Sequence, residues 1–200
     1  EPSPFEAGTA YVAATRYKMQ DRRPYLLKTT DYGQTWISIT NGLSEGDFTR
    51  VIRSDPSRRG LLYAGTEQGV YVSFDDGSHW QSLRLNLPLV PIHDLVLKRD
   101  DVHYDLVAAT HGRSFWILDN VSLLHQFDET VLDAAAHVLK PPATVDVRTS
   151  GTLASRESRP YYGDSAPRAI VIPYLLKEQP AGPVTVAVSE FAPMVVPSVQ

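Results

Sequence analysis

The side chains with most chemistry to offer are basic. The stretch Arg16-Tyr-Lys-Met-Gln-Asp-Arg-Arg-Pro24 carries Arg16, Lys18, Arg22 and Arg23, and His111-Gly112-Arg113 sets an imidazole and a guanidinium around a glycine. Guanidinium forks donate paired hydrogen bonds to carboxylate or sulfate oxygens, so a rim of such residues suits an anionic group on a glycan or at a peptide end. Gly112 lets the backbone turn tightly and present His111 and Arg113 outward together. The same residues also suit a plainer arrangement. In that reading the basic loop is solvated and salt-bridged internally to Asp21, Glu67 and Asp94, Arg113 clamps the last repeat to the segment after it, and His111 bonds a backbone carbonyl.

Bond-breaking chemistry is served less well. Glycoside hydrolysis wants two carboxyl groups across a cleft, roughly 5–10 Å apart. The candidates Asp21, Glu45, Asp47, Glu67 and Asp94 sit in no recognisable acid motif. No nucleophile elbow, P-loop or dinucleotide fingerprint is present. Cysteine is absent, which excludes a thiolate metal site, a cysteine nucleophile and a disulfide framework. His103 and His111 lack a carboxylate at a matching ligand spacing, and Asp75-Asp76-Gly77 lacks the ladder of oxygens that calcium needs. The expectation is no catalytic residue, no metal and no cofactor in this chain.

The elements that position these residues can be read from composition and repeats. The 200 residues carry 19 basic and 23 acidic side chains, with 42% hydrophobic and 21% charged residues, as a globular chain does. A mildly acidic balance without a basic block argues against nucleic-acid binding. The longest apolar run, Ala169 to Leu176, is short and broken by Pro173, so no membrane insertion is expected. All three tryptophans precede Pro141-Pro142, and prolines concentrate after it, which sets a boundary near residue 140.

An internal repeat dominates the first part. Thr29-Thr-Asp31-Tyr-Gly33-Gln-Thr-Trp36 matches Ser73-Phe-Asp75-Asp-Gly77-Ser-His-Trp80, 44 residues on. A third copy holds Thr110-His-Gly-Arg-Ser-Phe-Trp116 but lacks the Gly and closing Trp after Asp119. One period contains four strand-like runs: Phe48 to Ser54, Leu61 to Thr66, Val70 to Phe74 and Trp80 to Leu85. Four strands in 40–45 residues is the period of a propeller blade. Within it, Asp31 and Asp75 are expected to take up turn N–H groups, while Trp36 and Trp80 cover the hairpins and pack between blades. The helical exception is Glu129 to Leu139, where Val131, Leu132, Ala135 and Val138 share a face.

These two segments resemble the Asp-box, the bacterial neuraminidase repeat of sialidase-like and sortilin-like propellers. Thr29, Asp31, Gly33 and Trp36 match its pattern, as do Ser73, Asp75, Gly77 and Trp80. The wider stretch, through Leu61-Leu-Tyr-Ala-Gly-Thr66 and Ala109-Thr-His-Gly-Arg-Ser-Phe-Trp-Ile-Leu-Asp119, is similar to the end of large bacterial proteins labelled glycosyl hydrolase or sortilin N-terminal-like. In such relatives the ligand meets the end of the blades opposite the Asp-box turn. That is the end bearing Arg16, Lys18, Arg22, Arg23, Glu67, His111 and Arg113.

The fold expected is all-β: an incomplete Asp-box β-propeller of about three blades, followed by a partial β-sandwich-like segment. Residues 1–127 would hold the blades, 128–145 a linker with a short helix, and 146–200 the second module. Four blades at this period need about 176 residues, so the remaining blades would come from a longer parent or from another chain. The resemblance implies a non-catalytic segment for protein or glycan recognition in an exported bacterial protein, periplasmic or extracellular. Its alternative is part of a secreted glycoside hydrolase whose catalytic residues lie mostly upstream.

Overall fold

A computed structural model of the chain describes residues 1–100, 104–141 and 171–187. The first sheet runs β1 (Ala10–Arg16), β2 (Asp21–Thr29), β3 (Ile37–Ser38). The second runs β4 (Thr49–Ser54), β5 (Leu62–Thr66), β6 (Val70–Ser73), β7 (Gln81–Ser82). The third runs β8 (Ile92–Arg99), β9 (Tyr104–Thr110), β10 (Phe115–Leu118). Every neighbouring pair is antiparallel and consecutive in sequence, so each sheet is a simple meander. The chain is all-β, and its first part is three blade-like sheets in succession.

The repeat fixes which strands correspond. Thr29 and Ser73 each end the strand that enters the Asp-bearing turn, so β1, β2 and β3 match β5, β6 and β7. Glu1-Pro2 stands where β4 stands in the second sheet: Pro2 bridges Ala10, and the Tyr11 N–H donates to the Glu1 carbonyl at 2.8 Å. The third sheet supplies the counterparts of β4, β5 and β6. After Leu118 the chain turns away through Asn120, at φ 57°, into a 3₁₀ segment over Val121–Gln126.

The second sheet is buried on both faces, which is why β5 reads Leu-Tyr-Ala-Gly-Thr with no exposed residue. With side chains alternating across a strand, Leu62, Ala64 and Ile52 meet Tyr11, Leu26, Ile39 and Trp80 toward the first sheet. Tyr63, Val51, Val70 and Val72 meet Ile92, Leu95, Leu106 and Ala108 of the third. Gly65 marks the closest approach: a Cβ there would lie 2.6 Å from Val51 Cγ1 and 2.7 Å from Ile92 Cγ2, so β8 packs against bare backbone.

Two expectations are corrected. The basic stretch 16–24 is not an irregular loop, since β1 and β2 extend into it and a 3₁₀ turn over Tyr17–Met19 closes the hairpin with Arg16 opposite Asp21. The helix near residue 130 spans only α1 (Glu129–Asp133), capped by Asp128, whose carboxylate accepts from the Val131 N–H at 2.8 Å. Extended backbone at Ala134 ends it. β11 (Ala136–Val138) then pairs with β12 (Tyr174–Leu176), a ladder that outcompetes further helix. Most of the 146–200 module, and His103, lie outside the described residues.

Candidate functional site

Each meander has two ends. β2 runs from Asp21 at one end to Thr29 at the other, and β6 likewise leads from the Glu67–Gly69 turn to Ser73. The Asp-bearing turns therefore sit opposite the basic hairpin and the 67–69 and 111–114 turns.

At the Asp-bearing end the two copies share one hydrogen-bond pattern. The Thr29 hydroxyl donates to Asp31 Oδ1 (2.8 Å) and accepts from the Gly33 N–H (2.9 Å); Asp31 accepts from the Thr35 N–H (2.9 Å) and hydroxyl (2.6 Å). In the second copy Ser73 donates to Asp75 (2.8 Å) and accepts from the Gly77 N–H (2.9 Å), and Asp75 accepts from the His79 N–H (2.8 Å) and faces its Nδ1 (2.7 Å). Gly33 and Gly77 adopt φ of 85° and 88°, and the residues before them are also left-handed. These donors hold the Asp31 carboxyl down to about 2, the Thr35 hydroxyl contributing most. Carboxylates so occupied shape turns.

At the opposite end, residues of all three sheets converge. The Tyr17 ring stacks on Phe48 at 5.0 Å, and the Arg50 guanidinium lies over Phe48 at 4.9 Å and over Tyr17 at 5.7 Å. Arg50 donates to Glu67 Oε2 through Nη2 (2.5 Å) and Nε (3.1 Å). Beside this pair His93 stacks on His111 with ring centres 4.8 Å apart. The His111 N–H is fixed to the Pro91 carbonyl (2.9 Å), and the Glu67 N–H to that of Phe48 (3.1 Å). His93 is held below its ordinary imidazole value, first by partial removal from water, then by Arg50 and His111, with Glu67 opposing.

Arg50 and His93 reach this rim because each is an extra residue in its strand. The β4–β5 ladder shifts register between Thr49 and Val51, and the β8–β9 ladder between Ile92 and Asp94. A bulge of this kind re-aims one side chain without breaking the strand. Neither residue stood out in the sequence. The signal available was their spacing: they fall 43 residues apart, at nearly the same point of the repeat.

Of the residues singled out in the sequence, Glu67 and His111 belong to this cluster. Arg16 and Arg23 form a neighbouring one. Asp21 accepts from Arg23 at 3.0 and 2.9 Å and from the Tyr25 hydroxyl at 2.6 Å, and Arg16 approaches it at 3.6 Å. Both guanidinium groups lie over the Tyr25 ring, and the bonds from Arg23 and then Tyr25 hold the Asp21 carboxyl well below the usual range. Lys18, Arg22 and Arg113 are exposed at the same end; the Arg113 carbonyl accepts from Trp116 Nε1 (2.9 Å).

Beside the rim lies a cleft of about 320 Å³, lined by Val12, Arg50, Arg53, His93 and Asp94 among others. Arg53 donates to Asp94 (2.5 Å) and to the Leu95 carbonyl (2.8 Å) across its wall. Of the five candidate carboxylates for acid–base work, three are engaged by arginines, Asp21 by Arg23, Glu67 by Arg50 and Asp94 by Arg53, while Glu45 is exposed. Asp47, fully buried, accepts from the Thr66 and Tyr71 hydroxyls and the Gln68 N–H. Among the described residues no group of three or more His, Asp or Glu could hold a metal ion.

No protein-family model and no curated protein matches the sequence. Solved structures are similar in part, and two of them are GH74 enzymes. An ancestral GH74 enzyme aligns with TM-score 0.41 and 14% identity over 58% of this chain and 17% of its own. The GH74 xyloglucanase from Xanthomonas campestris aligns with TM-score 0.39 and 14% identity over 55% of this chain and 19% of its own. The chain therefore spans less than a fifth of the length of either. The blade-like order of the sheets rests on their own ladders.

Proposed function

We propose that this chain is a propeller segment that recognises an anionic group on a protein or glycan without cleaving it. In this reading Thr29 to Trp36 and Ser73 to Trp80 are Asp-boxes of the sortilin-like kind, with structural roles, and the chain works within an exported protein. The observation that carries the reading is the convergence of Arg50, His93 and His111 from two sheets beside the Tyr17–Phe48 stack of the first and second. Arg16, Lys18, Arg22, Arg23 and Arg113 extend the positive rim around it. Asp21, Glu67 and Asp94, held by arginines, are poorly placed to trade protons with a glycosidic oxygen, which favours binding over hydrolysis.

Further blades, from the same parent or another chain, would cover the outer sheets. The third sheet leaves Phe115, Ile117 and Val96 exposed at 73%, 60% and 52% on one face, the kind of surface that sheet packing buries. Among the described residues no helix is long and apolar enough to cross a membrane.

The test measures binding and turnover side by side, with a sulfated or carboxylated oligosaccharide. Binding that weakens in Arg50→Gln, with no release of reducing ends, is the expected result. Glycoside turnover that disappears in Glu67→Gln would establish the hydrolase alternative instead.

A further inference from the structure

The rim contains a feature that recognition of an anion alone does not require: two histidines stacked face to face beside an arginine. The fixed charges of the cluster balance, because Arg50 and Glu67 cancel. Acidification changes that arithmetic. Protonating His93 and His111 would leave two positive charges in excess, 4.8 Å apart and next to a third on Arg50. Among the described residues the nearby carboxylates are already engaged, Glu67 by Arg50 and Glu1, in the same cleft, within 3.8 Å of Arg53. Asp94, next to His93 in β8, is turned to Arg53 and bonded there at 2.5 Å. Arg113, two residues beyond His111 in the same turn, adds further positive potential.

We infer that His93 and His111 make anion capture at this rim acid-dependent: an oxyanion seated against the outside of the stacked ring pair, beside Arg50, binds together with protons. The inference rests on the recognition reading above and specifies its regulation. The sign comes from linkage. In the free protein partial removal from water, then Arg50 and His111, disfavour charge on His93, whereas an anion in contact with the pair favours charged rings. Binding therefore takes up protons, and affinity rises as pH falls. An imidazolium ring offers two N–H donors, and both residues are exposed, so those donors are open to an anion from solvent. Backbone bonds restrain the partner: His111 is tied through its own N–H to Pro91, and His93 is the bulged residue between Ile92 and Asp94.

The experiment is a titration of the full chain with sodium sulfate, whose charge is constant across the range, at about pH 5.5 and about pH 7.5. Calorimetry gives the affinity, and imidazole resonances of His93 and His111 are followed by NMR. The account expects sulfate to bind at least about tenfold tighter at the lower pH and to raise the apparent pKa of both rings. It also expects His93→Asn and His111→Asn to flatten the pH dependence while retaining wild-type thermal unfolding. Equal sulfate affinity at both pH values, or an undiminished pH dependence in the double variant, overturns the inference and leaves the recognition reading standing. No sulfate or acidic oligosaccharide bound at either pH overturns both.

Discussion

Trp80 is the seam between the first two sheets: its indole Nε1–H donates to the carbonyl of Ile39 at 2.7 Å, across from the preceding repeat, and its ring is 4% exposed. Its counterpart Trp36 donates locally, to the Gly33 carbonyl at 3.1 Å, and remains 41% exposed. The expectation that Trp36 packs between blades is thus corrected: among the described residues only Trp80 has a sheet on its far side, so one repeat position holds two energetically different residues. Trp80→Ala is expected to cost roughly 3–5 kcal/mol and Trp36→Ala about 1 kcal/mol, by chemical denaturation. Equal costs would contradict the packing.

The paired glycines should separate in the same way. Gly77 has φ 88°, and a Cβ there would lie 2.7 Å from Ile39 Cδ1, while at Gly33 the nearest atom is Trp36 Cζ2 at 3.6 Å. Gly77→Ala therefore combines backbone strain with a clash, for about 2–4 kcal/mol. Gly33→Ala meets the backbone cost alone, about 1 kcal/mol. Thermal unfolding of the two variants compares them directly.

Thr49 is a hidden link in the same seam. Fully buried, its hydroxyl accepts from the Tyr25 N–H (3.1 Å) and lies against the carbonyls of Tyr25 (2.8 Å) and Ala14 (3.1 Å). Thr49→Val keeps the shape and strands those backbone groups, at roughly 1–3 kcal/mol. An undiminished unfolding free energy would show that other partners satisfy them.

The low carboxyl value of Asp31 carries a pH signature. A carboxylate held below its unfolded value contributes stability that is complete above about pH 4, the unfolded range, and is lost as pH falls toward about 2. Thr35→Val removes the largest of its donors, the hydroxyl at 2.6 Å, and should raise the Asp31 value toward that of a free carboxyl. Carboxyl-carbon NMR titration of both forms measures it, and an unshifted Asp31 in the variant would sink the assignment of cause.

Much of the fold is legible in the repeat. The four runs between Phe48 and Leu85 fall on β4, β5, β6 and β7, because an apolar pattern bounded by Gly, Asp and Pro leaves few other ways to pair backbone. What is not legible depends on partners far away in sequence. The hairpin around Arg16 and Arg23 reads as a loop because its order comes from a shared carboxylate, Asp21, and the Tyr25 face. The segment 134–139 reads as helix until β12, some forty residues on, claims its backbone. Arg50 and His93 are silent for a subtler reason. Strand alternation gives no warning of the two bulges that turn them outward.

Ligands are expected to meet the rim of Arg50, His93 and His111 rather than the Asp-bearing turns. Amide chemical-shift mapping with a sulfated oligosaccharide on the isotopically labelled chain tests it most directly. Perturbations are expected to concentrate at 16–23, 48–50, 67–69, 92–94 and 111–113, with the turns at 31–36 and 75–80 unmoved. Perturbations centred on Asp31 and Asp75, with a silent rim, would contradict it.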